Sequence, residues 1–188
     1  MSRSVIQGAP NFRHISDYNV FAVAQPTLAG MNNVLSAVLS SSSAKDFVWI
    51  NLREEPIIYI NGSPYVLRDN YYTLRNIKAY SGITESRLEL LEKRLKEDIL
   101  KEILMYDGKI LLHEEQDGVV KAVWTIVLPQ NVLTLKEVVD SIRDNLDGVS
   151  LYSYRVPITA EAAPEPADFD QLIQIIGRYD LRSTSLIM

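Results

Sequence analysis

Phe47-Val48-Trp49-Ile50-Asn51-Leu52-Arg53-Glu54-Glu55-Pro56 is the stretch on which the reading of this chain turns. Its first four residues form an apolar strand. The residues that follow place an asparagine, an arginine and two carboxylates at that strand's carboxyl end, the side on which open α/β sheets bind ligands. Beyond it, Ile57-Ile58-Tyr59-Ile60-Asn61-Gly62-Ser63-Pro64-Tyr65-Val66-Leu67-Arg68-Asp69 reads as a hairpin. The chain contains no cysteine, so no thiolate nucleophile is available anywhere in its 188 residues.

That length suits one domain with a real core and falls short of two. With 47% hydrophobic and 23% charged residues the composition is that of a soluble globular protein. The net charge is −5 with both signs interspersed. There is no basic stripe of the kind a nucleic-acid binder uses to neutralise phosphates, although a local positive cleft for a phosphorylated ligand remains compatible with such a surface. No apolar run reaches membrane-spanning length, and Met1 to Gly8 lack the apolar segment of a signal peptide. Absence of cysteine removes disulfides and cysteine-based zinc sites together. The expectation is a cytoplasmic protein with no cofactor, no metal, no nucleic-acid partner and no membrane span.

Around the opening stretch the chain alternates strands and helices. Tyr18 to Ala24 reads as a strand, Thr27 as a helix N-cap, and Leu28, Met31, Val34, Leu35 and Val38 as the buried stripe of that helix. Asn61-Gly62 is a strong hairpin signal between Pro56–Ile60 and Pro64–Leu67. Tyr71 to Tyr80 is a connection without a period. Thr84 then opens a helix whose buried stripe is Leu88, Leu91, Leu95, Ile99 and Ile103, with Glu85, Arg87, Glu89, Glu92, Lys93, Arg94, Lys96, Glu97 and Asp98 on a solvated, ion-paired face. Lys109 to Glu114 reads as a buried strand, turned by Asp117-Gly118 into Val119 to Leu128. Thr134 and Glu137 form a capping box for a helix carrying Leu135, Val138, Val139, Ile142 and Leu146. Ser150 to Ile158 returns as a strand. Pro166 starts a last helix with Phe169, Leu172, Ile173 and Ile176 inward and Gly177 as its stop, and Ser183 to Met188 begins a further strand. This alternation is that of an α/β layer fold.

Several blocks, in order from about Asn11 to the C-terminus, carry a family resemblance. They are Ala24-Gln25-Pro26-Thr27, Val48 to Pro56, Tyr59-Ile60-Asn61-Gly62 with Tyr65-Val66-Leu67-Arg68-Asp69, Pro157-Ile158-Thr159, and Pro164-Glu165-Pro166-Ala167-Asp168-Phe169-Asp170. Together they resemble the protein-tyrosine-phosphatase-like inositol phosphatases (phytase-like) and the paladin-like repeats related to them. The resemblance implies the three-layer, phosphotyrosine phosphatase II-like α/β fold of cysteine-dependent phosphatases. In such enzymes a Cys-x5-Arg loop cradles phosphate between a strand and a helix N-terminus. The cysteine attacks phosphorus, and an aspartic acid protonates the leaving oxygen. Thr184 to Met188 resembles the strand that feeds this loop. Residues 1–188 are therefore expected to be the N-terminal part of one repeat, a single incomplete phosphatase-like domain lacking the C-terminal loop and helices, with residues 1–10 as a disordered tail.

A second departure is independent of the first. Where the family commonly has an aspartate directly after the Ile-Thr pair, this sequence has Ile158-Thr159-Ala160, and alanine has no proton to give. Losing general-acid help costs about 10²–10⁴ in rate. Glu161 is adjacent, but a one-residue shift re-aims the side chain, and an error of about 1 Å can cost roughly 10²-fold. No catalytic residue is assigned.

For binding, Arg53 resembles the arginine with which the phytase-like enzymes contact phosphates away from the reacting one. A planar guanidinium matches phosphate oxygens. The competing reading pairs Arg53 with Glu54, Glu55 or a backbone carbonyl. Arg155 is the second candidate phosphate contact, against a snorkelling role. Arg68 and Asp69 read as turn-end partners. His113-Glu114-Glu115 lacks the second histidine of a zincin helix, and His14 and His113 read as surface or core-edge residues.

Three functions compete on this reading. The first is a non-catalytic, paladin-like pseudophosphatase that binds a phosphorylated small molecule, a phosphoprotein or another protein partner. The second is a fragment of an active phosphatase whose catalytic loop lies beyond residue 188. The third is a structural half-repeat that pairs with a neighbouring phosphatase-like repeat.

Overall fold

A computed structural model describes residues 2–3, 5–15, 17–68, 82–116, 119–160 and 162–188. The expected connection at 71–80, the turn at 117–118 and Glu161 fall outside them.

Central to the fold is β4 (Asp46–Arg53), whose apolar run is buried on both faces, as a strand in a covered parallel sheet must be. It lies between β11 (Thr184–Ile187) and β10 (Ser150–Ile158), both parallel to it, and β3 (Val20–Ala22) continues the parallel set beyond β11. β2 (Arg13–Ile15) and β1 (Ser2–Arg3) add an antiparallel margin, giving the order β1-β2-β3-β11-β4-β10.

Alternate residues of β4 feed two cores. Phe47 and Trp49 join Phe21, Leu151 and Ile187 under helices α1 (Leu28–Ser41) and α3 (Leu135–Arg143). Val48 and Ile50 join Val156 and Leu186 under α4 (Pro166–Ile176) on the opposite face. Helices on both faces of a mainly parallel sheet make the three-layer α/β arrangement expected from the sequence.

A third core extends the molecule sideways. The hairpin β5 (Ile57–Ile60) and β6 (Ser63–Val66) turns at Asn61 and Gly62, both with positive φ (50° and 79°), the backbone an Asn-Gly turn is suited to supply. β9 (Val132–Thr134) pairs with the other side of β5. Ile57 and Tyr59 point into the first core. Ile58 and Ile60 point the other way, against Ile99 and Ile103 of α2 (Glu85–Met105) and Ile110 and Leu112 of β7 (Lys109–Gln116). β5 is thus shared by two cores, with all four residues buried. β8 (Val119–Ile126) pairs only with β7 among the described residues. No described helix is long and apolar enough to cross a membrane.

The expectations need correction at four places. Residues 5–10 are not a tail. Gly8 carbonyl accepts from Thr27 N–H at 2.9 Å, Ala9 is buried, and Gly8 packs directly on Gly30 of α1. The helix α4 buries Ile175, while Phe169 and Ile173 stand 52% and 67% exposed. β7 is buried only at alternate positions, Ile110 and Leu112, because it covers α2 with one face. Finally, Glu92 is not on the solvated face of α2 but only 1% exposed. The apolar stripe runs Leu88, Glu92, Leu95, Ile99, Ile103 in steps of three and four, and the glutamate occupies one of its places.

Both capping expectations at α3 hold: Thr134 Oγ1 accepts from Glu137 N–H at 3.2 Å and Glu137 Oε2 from Thr134 N–H at 2.8 Å. Lys96 Nζ of α2 reaches both Glu137 oxygens at 2.7 Å, tying the two helices. Burial alone would raise the Glu137 pKa, but Lys96 and Thr134 outweigh it and hold the carboxyl below its usual range.

Three outcomes follow for stability. A Cβ on Gly30 would sit 1.9 Å from the Gly8 carbonyl oxygen, a backbone atom. Gly30→Ala should therefore lower unfolding free energy by about 1–3 kcal/mol in urea titration, despite the roughly 1 kcal/mol by which alanine favours helix. Thr134→Ala should cost about 0.5–2 kcal/mol. A lowered folded pKa means that the Glu137 contribution is present above the unfolded carboxylate pKa and lost as pH falls through the folded one. Thermal melts of Glu137→Gln should therefore differ from wild type at neutral pH and converge with it on acidification.

Candidate functional site

Ile187 of β11 lies level with Trp49 of β4, and β4 runs on to Arg53, roughly 13 Å further at about 3.3 Å per residue. β10 accompanies it, Arg155 opposite Asn51 and Ile158 opposite Arg53, with an irregularity between. The segments that follow β3 and β4 therefore meet at the carboxyl edge of the sheet.

Side chains join these segments. Asn51 Nδ2 donates to Gln25 Oε1 at 2.9 Å and Gln25 Nε2 to Tyr59 Oη at 2.6 Å. Tyr59 in turn donates to the Pro26 carbonyl at 2.9 Å. Asn51 Oδ1 accepts from Arg53 N–H at 3.0 Å. Burial pushes the Tyr59 phenol up to about 12, against the opposing Gln25 hydrogen bond, so it remains a protonated donor at neutral pH. This chain couples the end of β3, the end of β4 and the hairpin strand β5.

Beside it sits a cluster of charges. The two oxygens of buried Glu55 bind one guanidinium each, from Arg53 and from Arg68. The neighbouring carboxylate, Glu54, is buried as well. The Arg53 side chain is 36% exposed, and its buried Nε has no partner among the described residues; nor has Glu54 Oε2. Asp69, expected to partner Arg68, lies outside the described residues.

Arg155 is deeper, 5% exposed. Its Nη1 donates to Glu92 Oε1 at 2.5 Å, Nη2 to the Glu55 carbonyl at 2.7 Å, and Nε to the Arg53 carbonyl at 3.3 Å. Glu92 Oε1 also accepts from Ile57 N–H at 2.8 Å. Burial raises the Glu92 pKa, opposed by the Arg155 charge, by its hydrogen bond and by the Ile57 N–H.

The structure thus brings Arg53, Arg68 and Arg155 to one edge, joined through Glu55 and its backbone. Gln25, Tyr59 and Glu92 complete the site and were not singled out as functional by sequence reasoning. For Glu92 a signal existed in its place within the helical stripe. For Tyr59 it was an alternating residue on a strand read as ordinary hairpin. Ala160 follows β10 and is exposed, offering no acid there. His14 stacks on Phe21 (ring centroids 4.4 Å apart) and bonds the Tyr18 carbonyl at 3.0 Å, while His113 is exposed on β7. Among the described residues no group of three or more histidine, aspartate or glutamate side chains is placed to hold a metal.

Chemically, this edge can grip an oxyanion through a guanidinium held by a carboxylate. The chain is similar to known proteins at several levels. The Paladin of Gallus gallus is 26% identical over 165 residues, covering 87% of this chain and 18% of that protein. The tandemly repeated protein tyrosine phosphatase-like phytase of Mitsuokella multacida superposes with a TM-score of 0.62 at 14% identity, over 90% of this chain and 25% of the other. The PTP-like myo-inositol phosphatase of the same organism, solved in complex with myo-inositol-(1,3,4,5)-tetrakisphosphate, gives 0.61 at 17% identity, with the same two coverages of 90% and 25%. The chain thus spans about a quarter or less of these relatives. A family model for PTP-like phytases, described by inositol hexakisphosphate, matches residues 50–188. Since that match runs from the second half of β4 through β11 and takes in well over half of the chain, the chain belongs to the protein-tyrosine-phosphatase-like phytase family.

Proposed function

We propose that this chain is a non-catalytic, paladin-like phosphatase repeat that binds a phosphorylated ligand, with Arg53 as the phosphate contact. The observation that carries this reading is the position of Arg53: at the carboxyl edge of a parallel sheet, partly exposed, and held together with Arg68 on the Glu55 carboxylate. A polyphosphorylated inositol suits such a cluster, since several phosphates can engage guanidinia at once. A phosphoprotein would present the same chemistry once. Arg155 contributes to the site from behind, because burial and three protein acceptors keep its guanidinium from facing a ligand as Arg53 does. The chain holds no thiol, and Ala160 stands where the family's acid is expected, so the reading assigns binding and not hydrolysis.

A second reading, a half-repeat that pairs with a neighbouring phosphatase-like repeat, is favoured by one observation. Phe169 and Ile173 lie one turn apart on α4 and are exposed, which gives an apolar strip in want of cover.

Calorimetric titration with inositol hexakisphosphate tests the first reading. Wild type should bind, with affinity falling as salt rises. Arg53→Ala should lose about 1.5–3 kcal/mol, the worth of a charged hydrogen bond, roughly 10- to 150-fold in Kd. Arg53→Lys should fall between, keeping charge but not the fork. Phosphate release above a heat-treated control would overturn the non-catalytic assignment. For the second reading, light scattering should show self-association of the wild-type chain that Phe169→Ser/Ile173→Ser abolishes; a strictly monomeric wild type would count against it.

A further inference from the structure

The connection between Arg53 and Ile57 is held by two residues far away in the chain. Arg155 grips the carbonyls of Arg53 and Glu55, and Glu92 grips the N–H of Ile57. The two are joined to each other by a buried ion pair. This connection has no regular partner of its own: residues 54–56 lie outside any strand, and Pro56 has no N–H to donate. Its buried carbonyls need donors from elsewhere. A guanidinium is suited to the task, since its rigid fork reaches two carbonyls and a carboxylate together, as a single ammonium does not.

Stability alone is a poor account of such a pair. Two buried charges lose hydration that their attraction roughly returns, and apolar residues of similar volume often serve stability as well or better. What an apolar pair would not reproduce is the grip on three backbone groups. The peptide so held carries Arg53 at one end and, through Glu55, also fixes Arg68.

We infer that Glu92 and Arg155 are positioning residues: a buried clamp, spanning α2 and β10, that fixes the Arg53–Ile57 connection and so aims the Arg53 guanidinium at phosphate. The inference rests on the reading of Arg53 as the phosphate contact. It assigns Arg155 a role through backbone and Glu92 a role in the site.

The test combines a double variant, Glu92→Met/Arg155→Met, with amide hydrogen exchange and inositol hexakisphosphate titration. The variant should stay folded, with amide exchange across residues 53–57 accelerated while the protection of α1 and β11 is retained. Its affinity should fall about tenfold, equivalent to about 1.4 kcal/mol. Adding Arg53→Ala should then cost much less than in wild type, because the two changes act on one interaction. Should the double variant not fold, Arg155→Lys keeps the charge opposite Glu92 without the fork, and the same three changes are expected of it. Wild-type exchange at 53–57 in a folded variant, or an undiminished cost of Arg53→Ala, would overturn the clamp. If wild type itself binds no inositol hexakisphosphate, the phosphate reading fails instead, and exchange at 53–57 alone decides whether the clamp exists.

Discussion

A buried strand that must stop being buried sets the terms for this structure. β4 is apolar to both faces as far as Ile50, and from Asn51 onward it carries groups that require hydrogen bonds. The sheet covers the first half with α1 and α3 on one side and α4 on the other. At the second half the layers end, and several polar groups find partners on other elements: Asn51 on Gln25, Glu55 on Arg68, and the backbone on Arg155 and Glu92. The site is where the core runs out and polar satisfaction takes over from packing.

Electrostatics at that edge have two tiers. The deep tier, Glu92 with Arg155, is neutral as a pair and nearly dry, and its hydrogen bonds go to backbone. The outer tier, Arg53 and Arg68 around Glu55, is more exposed. The tier behind it fixes the backbone from which Arg53 projects. Preorganised donors of this kind bind an oxyanion without first having to be ordered.

The sequence made much of this legible. The strand–helix alternation, the Asn61-Gly62 turn, the Thr134–Glu137 capping box and Pro166 at the first turn of α4 are local features, and each appears where its residues put it. Its errors were non-local. Residues 1–10 read as a tail, yet the absence of a Cβ at Gly30 lets the Gly8 backbone lie directly on α1. The inward face of α4 was assigned from periodicity, which defines a stripe but not which neighbour meets it. In the structure Ile175 meets β10 and β11, while Phe169 and Ile173 meet solvent. Glu92 was placed on the wet face by residue type, although its spacing put it in the dry stripe.

By itself, the sequence determined the chemistry on hand: an arginine and two carboxylates at a strand's end, and no thiol. These follow from composition and order, which folding does not alter. Only the tertiary structure decided which charges are paired with which. Glu55 can hold Arg53 and Arg68 together, and Glu92 can meet Arg155 63 residues away, only once the hairpin, α2 and β10 converge. Ion pairing depends on distance and on the loss of water, and neither is written in the linear order of residues.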